Sequence, residues 1–202
     1  YRGMMRPPDR LAAALIADPG VCDVIIANPY RWLPTVLARR ALGTGAAFPA
    51  LAGRRLLQPW RLRDRRDPLD PDALEARYRA YGRALGRAAR GAGMERPLLL
   101  TTHPLVAGFA DTSWAARVVY FGRDDWTSYP GRSEFWPAYR DANRRIAASG
   151  MPVAAVSAQI VERIAPTGPG VVVPNGVEVS EWSGPQPAAP AWFDAIRTPR
   201  LV

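Results

Sequence analysis

Short apolar runs alternate along the chain with longer stretches whose apolar residues recur every three or four positions. The runs lie at 21–27, 56–58, 98–102, 118–121, 153–156 and 171–173. Several are apolar throughout rather than alternating, the pattern of strands covered on both faces. The clearest helical stretch runs from Asp72 to about Ala92, with Leu74, Tyr78, Tyr81, Leu85 and Ala88 on one stripe. Asp70 is its predicted N-cap, Pro71 its first residue, and Gly91 and Gly93 its end. Arg83, Arg87 and Arg90 each fall two residues beyond a stripe member, on the opposite, solvated face. Further helices are predicted at 8–17, 134–148 and 157–165, the last with Ile160, Val161 and Ile164 on one side.

Strands alternating with helices require right-handed crossovers, hence an α/β fold with a Rossmann-like, doubly wound, mostly parallel sheet flanked by helices. Segment 41–70 is the loosest, with six arginines between Arg54 and Arg66. From Ser183 the chain turns Pro- and Ala-rich, a linker composition, and Arg200-Leu201-Val202 reads as a strand beginning. A doubly wound domain opens on a strand and a Gly-rich turn, whereas Tyr1-Arg2-Gly3 reads as mid-loop. The expectation is a domain over 1–182 lacking its first strand, then a linker and the start of a second domain over 183–202.

Composition narrows the chemistry. At 202 residues the chain is long enough to bury a core, and no apolar run approaches the roughly 18 residues of a membrane span. One cysteine, Cys22, and one histidine, His103, exclude an internal disulfide framework, a multi-cysteine zinc site and a His-rich metal centre. No cofactor and no metal are expected, and the default setting is reducing and cytoplasmic. All 27 basic residues are arginine, against 18 acids, for a net charge of +9. Such a field attracts anions: nucleic acid, phosphorylated small molecules or an anionic membrane surface.

In an open parallel sheet, ligands bind beyond the carboxyl ends of the strands. That rule selects Asn28-Pro29-Tyr30, Thr101-Thr102-His103-Pro104, Gly122-Arg123-Asp124-Asp125 and Pro174-Asn175-Gly176. His103 either contacts a substrate hydroxyl or transfers a proton, its ordinary pKa lying near neutrality, or it simply caps the turn before Pro104. Asp124 and Asp125 orient a sugar hydroxyl or serve as turn acids; adjacent side chains point apart, which makes joint metal chelation awkward. Asn175-Gly176 by itself predicts a turn with positive φ. Trp114, Trp126 and Trp136 are the tryptophans nearest this predicted cleft.

The wider string Val171-Val172-Val173-Pro174-Asn175-Gly176-Val177-Glu178 resembles a signature late in the first domain of retaining GT-B glycosyltransferases, family four in the sequence classification. Other segments follow in the same order. Arg6-Pro7 is similar to the Arg-Pro after the first Gly-rich loop in a subset of these enzymes. Tyr120-Phe121-Gly122-Arg123-Asp124-Asp125-Trp126 resembles their Tyr-x-x-x-Asp-Asp segment, and 153–157 their small-apolar strand ending in Ser. The acid that usually precedes that strand is Met151 here.

The resemblance implies metal-independent transfer of a sugar, hexosyl in kind, from a nucleotide-sugar donor to a carbohydrate or lipid-linked acceptor, with retention of configuration. It implies a place in cell-envelope polysaccharide or glycolipid synthesis, at the inner face of the membrane. It makes this domain the acceptor side of a cleft whose donor side lies in a second domain, and inactive without it. His103 then contacts the transferring sugar as the catalytic candidate. Asp124, Asp125, Ser157, Asn175 and Gly176 line the cleft, with Arg6 an anion contact. Two other partners suit the charge. A nucleic-acid-binding domain is the rival, although no such motif occurs in the chain. An anionic membrane is compatible with glycosyl transfer, the segment 54–66 combining arginines with Leu56, Leu57, Trp60 and Leu62.

Overall fold

The computed structural model describes residues 7–21, 23–43, 54–63 and 66–176, with Val179, Ser183 and Trp192 singly. The expected Arg6 contact, the signature's Val177-Glu178 and nearly all of the expected linker lie outside these residues.

The chain opens with α1 (Pro7–Ala17), β1 (Val24–Ala27), β2 (Arg31–Trp32), α2 (Leu33–Ala41), β3 (Arg54–Leu57) and β4 (Trp60–Arg61). It continues through α3 (Pro71–Gly91), β5 (Leu98–Thr101), α4 (Pro104–Phe109), β6 (Arg117–Gly122) and a 3-10 turn (Pro130–Phe135). It then forms α5 (Trp136–Ala148), β7 (Val153–Ala155), α6 (Ala158–Ile164) and β8 (Gly170–Val172). Each of the six predicted strands is present, and every pairing is parallel. β5, β6, β7 and β8 lie side by side in one four-stranded sheet flanked by helices, while β1–β3 and β2–β4 form separate pairs. The fold is therefore α/β with a parallel sheet, as the alternating pattern requires.

α3 shows why local chemistry suffices for a long helix. The Asp70 carboxylate accepts the Ala73 N–H at 2.8 Å, Pro71 occupies the first turn, and Gly93 takes the left-handed conformation past the end. Its buried stripe is Leu74, Tyr78, Tyr81, Leu85 and Ala89, with Gly82 and Gly86 between them. Ala89 thus replaces the expected Ala88. The glycines are buried because the backbone of Asp111 and the ring of Trp114 press against the helix there. Removing the cap by Asp70→Ala is expected to cost about 1 kcal/mol, read as a fall of roughly 3 °C in melting temperature.

Two apolar clusters fill the interior. The α3 stripe packs on Leu105, Val106 and Phe109 of α4 and on Phe135, Tyr139 and Ala142. On the other side of α4, Ala107 joins Tyr120, Ile146, Val153 and Ile164. α4 is therefore the wedge between the two clusters, although its six residues are too few for a helical period to show in sequence. Glu75 reinforces the packing of α3 against α5 by pairing with Arg145, 2.7 Å away. β8 departs from expectation: all its residues, and Val173 beyond it, are exposed. It is the last strand in the sheet order, and its apolar run is not sandwiched between layers.

Candidate functional site

Because β5 to β8 run parallel, with Thr101 opposite Tyr120 and Gly122 opposite Ala155 opposite Val172, their carboxyl ends form one edge. His103 leaves that edge after β5, Asp124 and Asp125 after β6, Ser157 after β7, and Asn175 and Gly176 after β8. One topological fact thus brings every predicted site residue among the described ones to the same side of the sheet.

His103 is the N-cap of α4. Its backbone carbonyl accepts the N–H groups of Val106 and Ala107, both at 3.1 Å, and its own N–H donates to the Thr101 hydroxyl at 3.2 Å. The imidazole lies between aromatic rings, stacked on Tyr78 at 5.8 Å and inclined to Trp126 at 5.2 Å. Nδ1 is enclosed and has no hydrogen-bond partner among the described residues. Burial lowers the pKa to about 4, against the partial counter-effect of the Asp67 carboxylate and with a small further push from Arg132. At neutral pH the ring is therefore uncharged. A neutral imidazole can offer a bound group a polar contact, but it holds no extra proton to donate as an acid near neutrality.

The two aspartates divide their roles. Asp125 is committed to its own turn: Oδ1 accepts from the Thr127 N–H at 3.1 Å and the Thr127 hydroxyl at 2.6 Å, while Oδ2 accepts from Ser128 and Arg163. Such a carboxylate has little capacity left for a ligand and acts as a clamp on the loop after β6. Asp124 is exposed and makes no hydrogen bond or ion pair among the described residues. Of the two, it is the acid with accepting capacity to spare.

Ser157 caps α6, its hydroxyl accepting the Ile160 N–H at 3.4 Å. Asn175 and Gly176 are exposed, and neither adopts the left-handed conformation, so the expected positive-φ turn is not formed. Beyond β8, the Val173 N–H still donates to the Ala155 carbonyl at 2.7 Å.

Three groups escaped the sequence reading as site members. Tyr78 reads as a core residue from its helical spacing, yet its ring supports His103 and its hydroxyl donates to Asp67 at 3.3 Å. Asp67 is held as well by Arg61 at 3.4 Å and Arg77 at 3.2 Å, contacts that no spacing rule anticipates. Arg163 was simply a polar position on a short helix. It lines a small pocket with Asp124, Trp126 and Asn143, and with Asn143 it also lines a second pocket that carries Arg140 and Arg144 of α5. Of the three tryptophans, Trp126 belongs to the site. Trp114 is anchored instead to the Asp111 carbonyl at 2.9 Å, and Trp136 to the Tyr129 carbonyl at 3.1 Å.

Three buried nitrogens lack partners among the described residues: His103 Nδ1, Arg123 Nε and Trp126 Nε1. All three lie just past β5 or β6. Buried polar groups are nearly always paired, and exceptions concentrated at one sheet edge mark it as the place to look for function. No group of three or more His, Cys, Asp or Glu side chains gathers among the described residues. No protein-family model, curated protein or solved structure matches this chain.

Proposed function

We propose that this chain forms the acceptor-side, Rossmann-like domain of a GT-B glycosyltransferase and moves a sugar from a nucleoside diphosphate to an acceptor hydroxyl. The observation that carries the reading is the shared carboxyl edge, where a neutral, aromatic-flanked imidazole lies among nitrogens whose hydrogen-bonding capacity is unspent. In such a transfer the acceptor oxygen bonds to the anomeric carbon as the bond to the diphosphate oxygen breaks. The hydroxyl proton departs with the diphosphate. The transition state resembles an oxocarbenium ion, so catalysis comes from positioning and fixed dipoles more than from proton donation. A neutral His103 suits that task, because a second positive charge would oppose the developing one. Asp124 is assigned to the acceptor hydroxyl, Trp126 to an apolar wall under the sugar, and Ser157, Asn175 and Gly176 to the far part of the rim. The donor's base and phosphates are assigned to a second domain, so residues 1–202 alone are expected to turn nothing over.

The test uses the full-length protein with uridine, guanosine and adenosine diphosphate sugars, following nucleoside diphosphate release as acceptor is added. Acceptor-dependent release with one donor supports the reading. Absence of sugar-nucleotide binding, together with salt-sensitive retention on DNA, would replace it with the nucleic-acid-binding alternative.

A further inference from the structure

The second pocket, bounded by α5 and the end of α6, takes no part in the proposed transfer. Its volume of about 530 Å³ lies within the range of small-molecule sites. Three guanidinium groups line it, from Arg140 and Arg144 of α5 and Arg163 of α6, and no carboxylate does. Positions 140 and 144 are one helical turn apart, which puts both arginines on one face of α5. Asn143 stands beside them, while Ala147 and the buried Ile164 supply an apolar floor.

Much of this donor capacity is unspent. Arg140 makes no hydrogen bond or ion pair among the described residues; its guanidinium lies over the Trp136 ring, 5.9 Å from the centroid. The Asn143 amide likewise makes no hydrogen bond among them. Arg144 gives Nη2 to Asp141 at 2.8 Å, a carboxylate it shares with Arg145, and Arg163 gives Nη1 to Asp125. A guanidinium carries five N–H donors, so both keep several for a ligand while these pairs hold them in place.

The end wall is strained. Ala165 closes α6 in the left-handed conformation, φ 50° and ψ 58°, alone among the described non-glycine residues. Glycine is the usual residue there, because it has no Cβ to clash. Two residues on, the Thr167 N–H and hydroxyl both donate to the Ala147 carbonyl, at 3.0 and 2.6 Å, and tie the ends of α5 and α6 together. Strain that the surroundings enforce gathers at ligand sites, and here it borders a rigid cavity lined by cations.

We propose that this pocket binds a small organic phosphate, its oxygens among Arg140, Arg144 and Arg163 and its organic part over Ala147 and Ile164. A carboxylate has two oxygens, which one guanidinium satisfies. A phosphomonoester has three and carries nearly two charges, which suits several guanidinium groups at once. None of the residues lining the pocket is assigned a role in sugar transfer, so the two readings stand or fall separately.

Calorimetric titration of the full-length protein with phenyl phosphate, phenol and inorganic phosphate tests the site. Phenyl phosphate is expected to bind, inorganic phosphate to bind more weakly and phenol not to bind. Arg140→Gln and Arg144→Gln should each weaken phenyl phosphate about tenfold, the size of one charge-assisted contact. Both side chains are exposed, so the melting temperature should hold. Arg87→Gln removes the same charge from the exposed face of α3 and should leave the affinity unchanged. Equal losses in all three variants would mean that net charge alone attracts the anion, and would overturn the proposal. So would absence of binding, affinity indifferent to Arg140 and Arg144, or phenol or inorganic phosphate binding as tightly as phenyl phosphate.

Discussion

Gly108→Val is expected to destabilise the protein by about 3 kcal/mol or more and to lower its melting temperature by about 10 °C. α4 crosses α5 at this glycine. A Cβ placed there would sit 2.7 Å from the Ala142 Cα, 2.9 Å from its Cβ and 3.0 Å from its carbonyl oxygen. Two of those three atoms are backbone, so no side-chain rotation relieves the overlap, and the helices must separate. Ala142 and Ile146 have no exposed surface at all, and separation would open both apolar clusters at the wedge between them. Gly108→Ala should show the same effect at a smaller size, about 1–3 kcal/mol. The diagnostic is the double variant. Ala142→Gly removes the Cβ but leaves the two backbone atoms in place, so it should not restore Gly108→Ala. Thermal melts of the four proteins decide this: full rescue, or a Gly108→Val protein as stable as the parent, would mean that the helices do not touch at backbone distance.

That contact illustrates what the sequence conceals. The parallel sheet was legible because six apolar runs separated by helix-length spacers admit few alternatives, and α3 because a cap, a proline and a periodic stripe all agree. α4 was not legible: Leu105, Val106, Ala107 and Phe109 are buried on all sides, and a helix apolar all round has no polar face to define a period. α2 was hidden for a related reason, since Leu37 and Leu42 project into solvent and break the amphipathic signature. Chain position alone placed His103, Asp124 and Asp125 at the carboxyl edge, because that rule needs only strand ends, whereas Ser157 was reached through the family resemblance. Chain position did not divide the two aspartates into a clamp and a free acid. That division depends on Thr127, Ser128 and Arg163 converging on one carboxylate, and Arg163 is 38 positions away.

The largest functional effect should come from His103, and its acid response offers a readout independent of any substrate. His103→Phe preserves an aromatic ring between Tyr78 and Trp126 while removing both nitrogens. In the native protein the imidazole holds a pKa of about 4, whereas in the unfolded chain it returns to about 6.5. Between those values the unfolded state binds the extra proton, so stability falls as pH is lowered from about 6.5 to about 4 and no further below that. The two pKa values together correspond to roughly 3 kcal/mol lost across this window. The phenylalanine variant has no such group. Relative to the parent it should gain stability progressively through the window, and chemical denaturation at pH 7.5, 6, 5 and 4 measures the difference. Glu75, held low by its hydrogen bond to Arg145, and Asp111, held low by Ser113, also weaken the fold in acid. They do so equally in both proteins, and the comparison cancels them. If the full-length protein transfers sugar as proposed, the same variant should lose about a hundredfold or more of that rate, the scale of one missing preorganised polar contact at a developing charge. A protein made hardier in acid yet nearly inactive is the signature of a residue retained for chemistry at the expense of stability. If His103→Phe follows the parent's stability across the whole range, the ring is not buried as a neutral base. If it transfers sugar at the parent's rate, the edge after β5 is not where the reaction occurs.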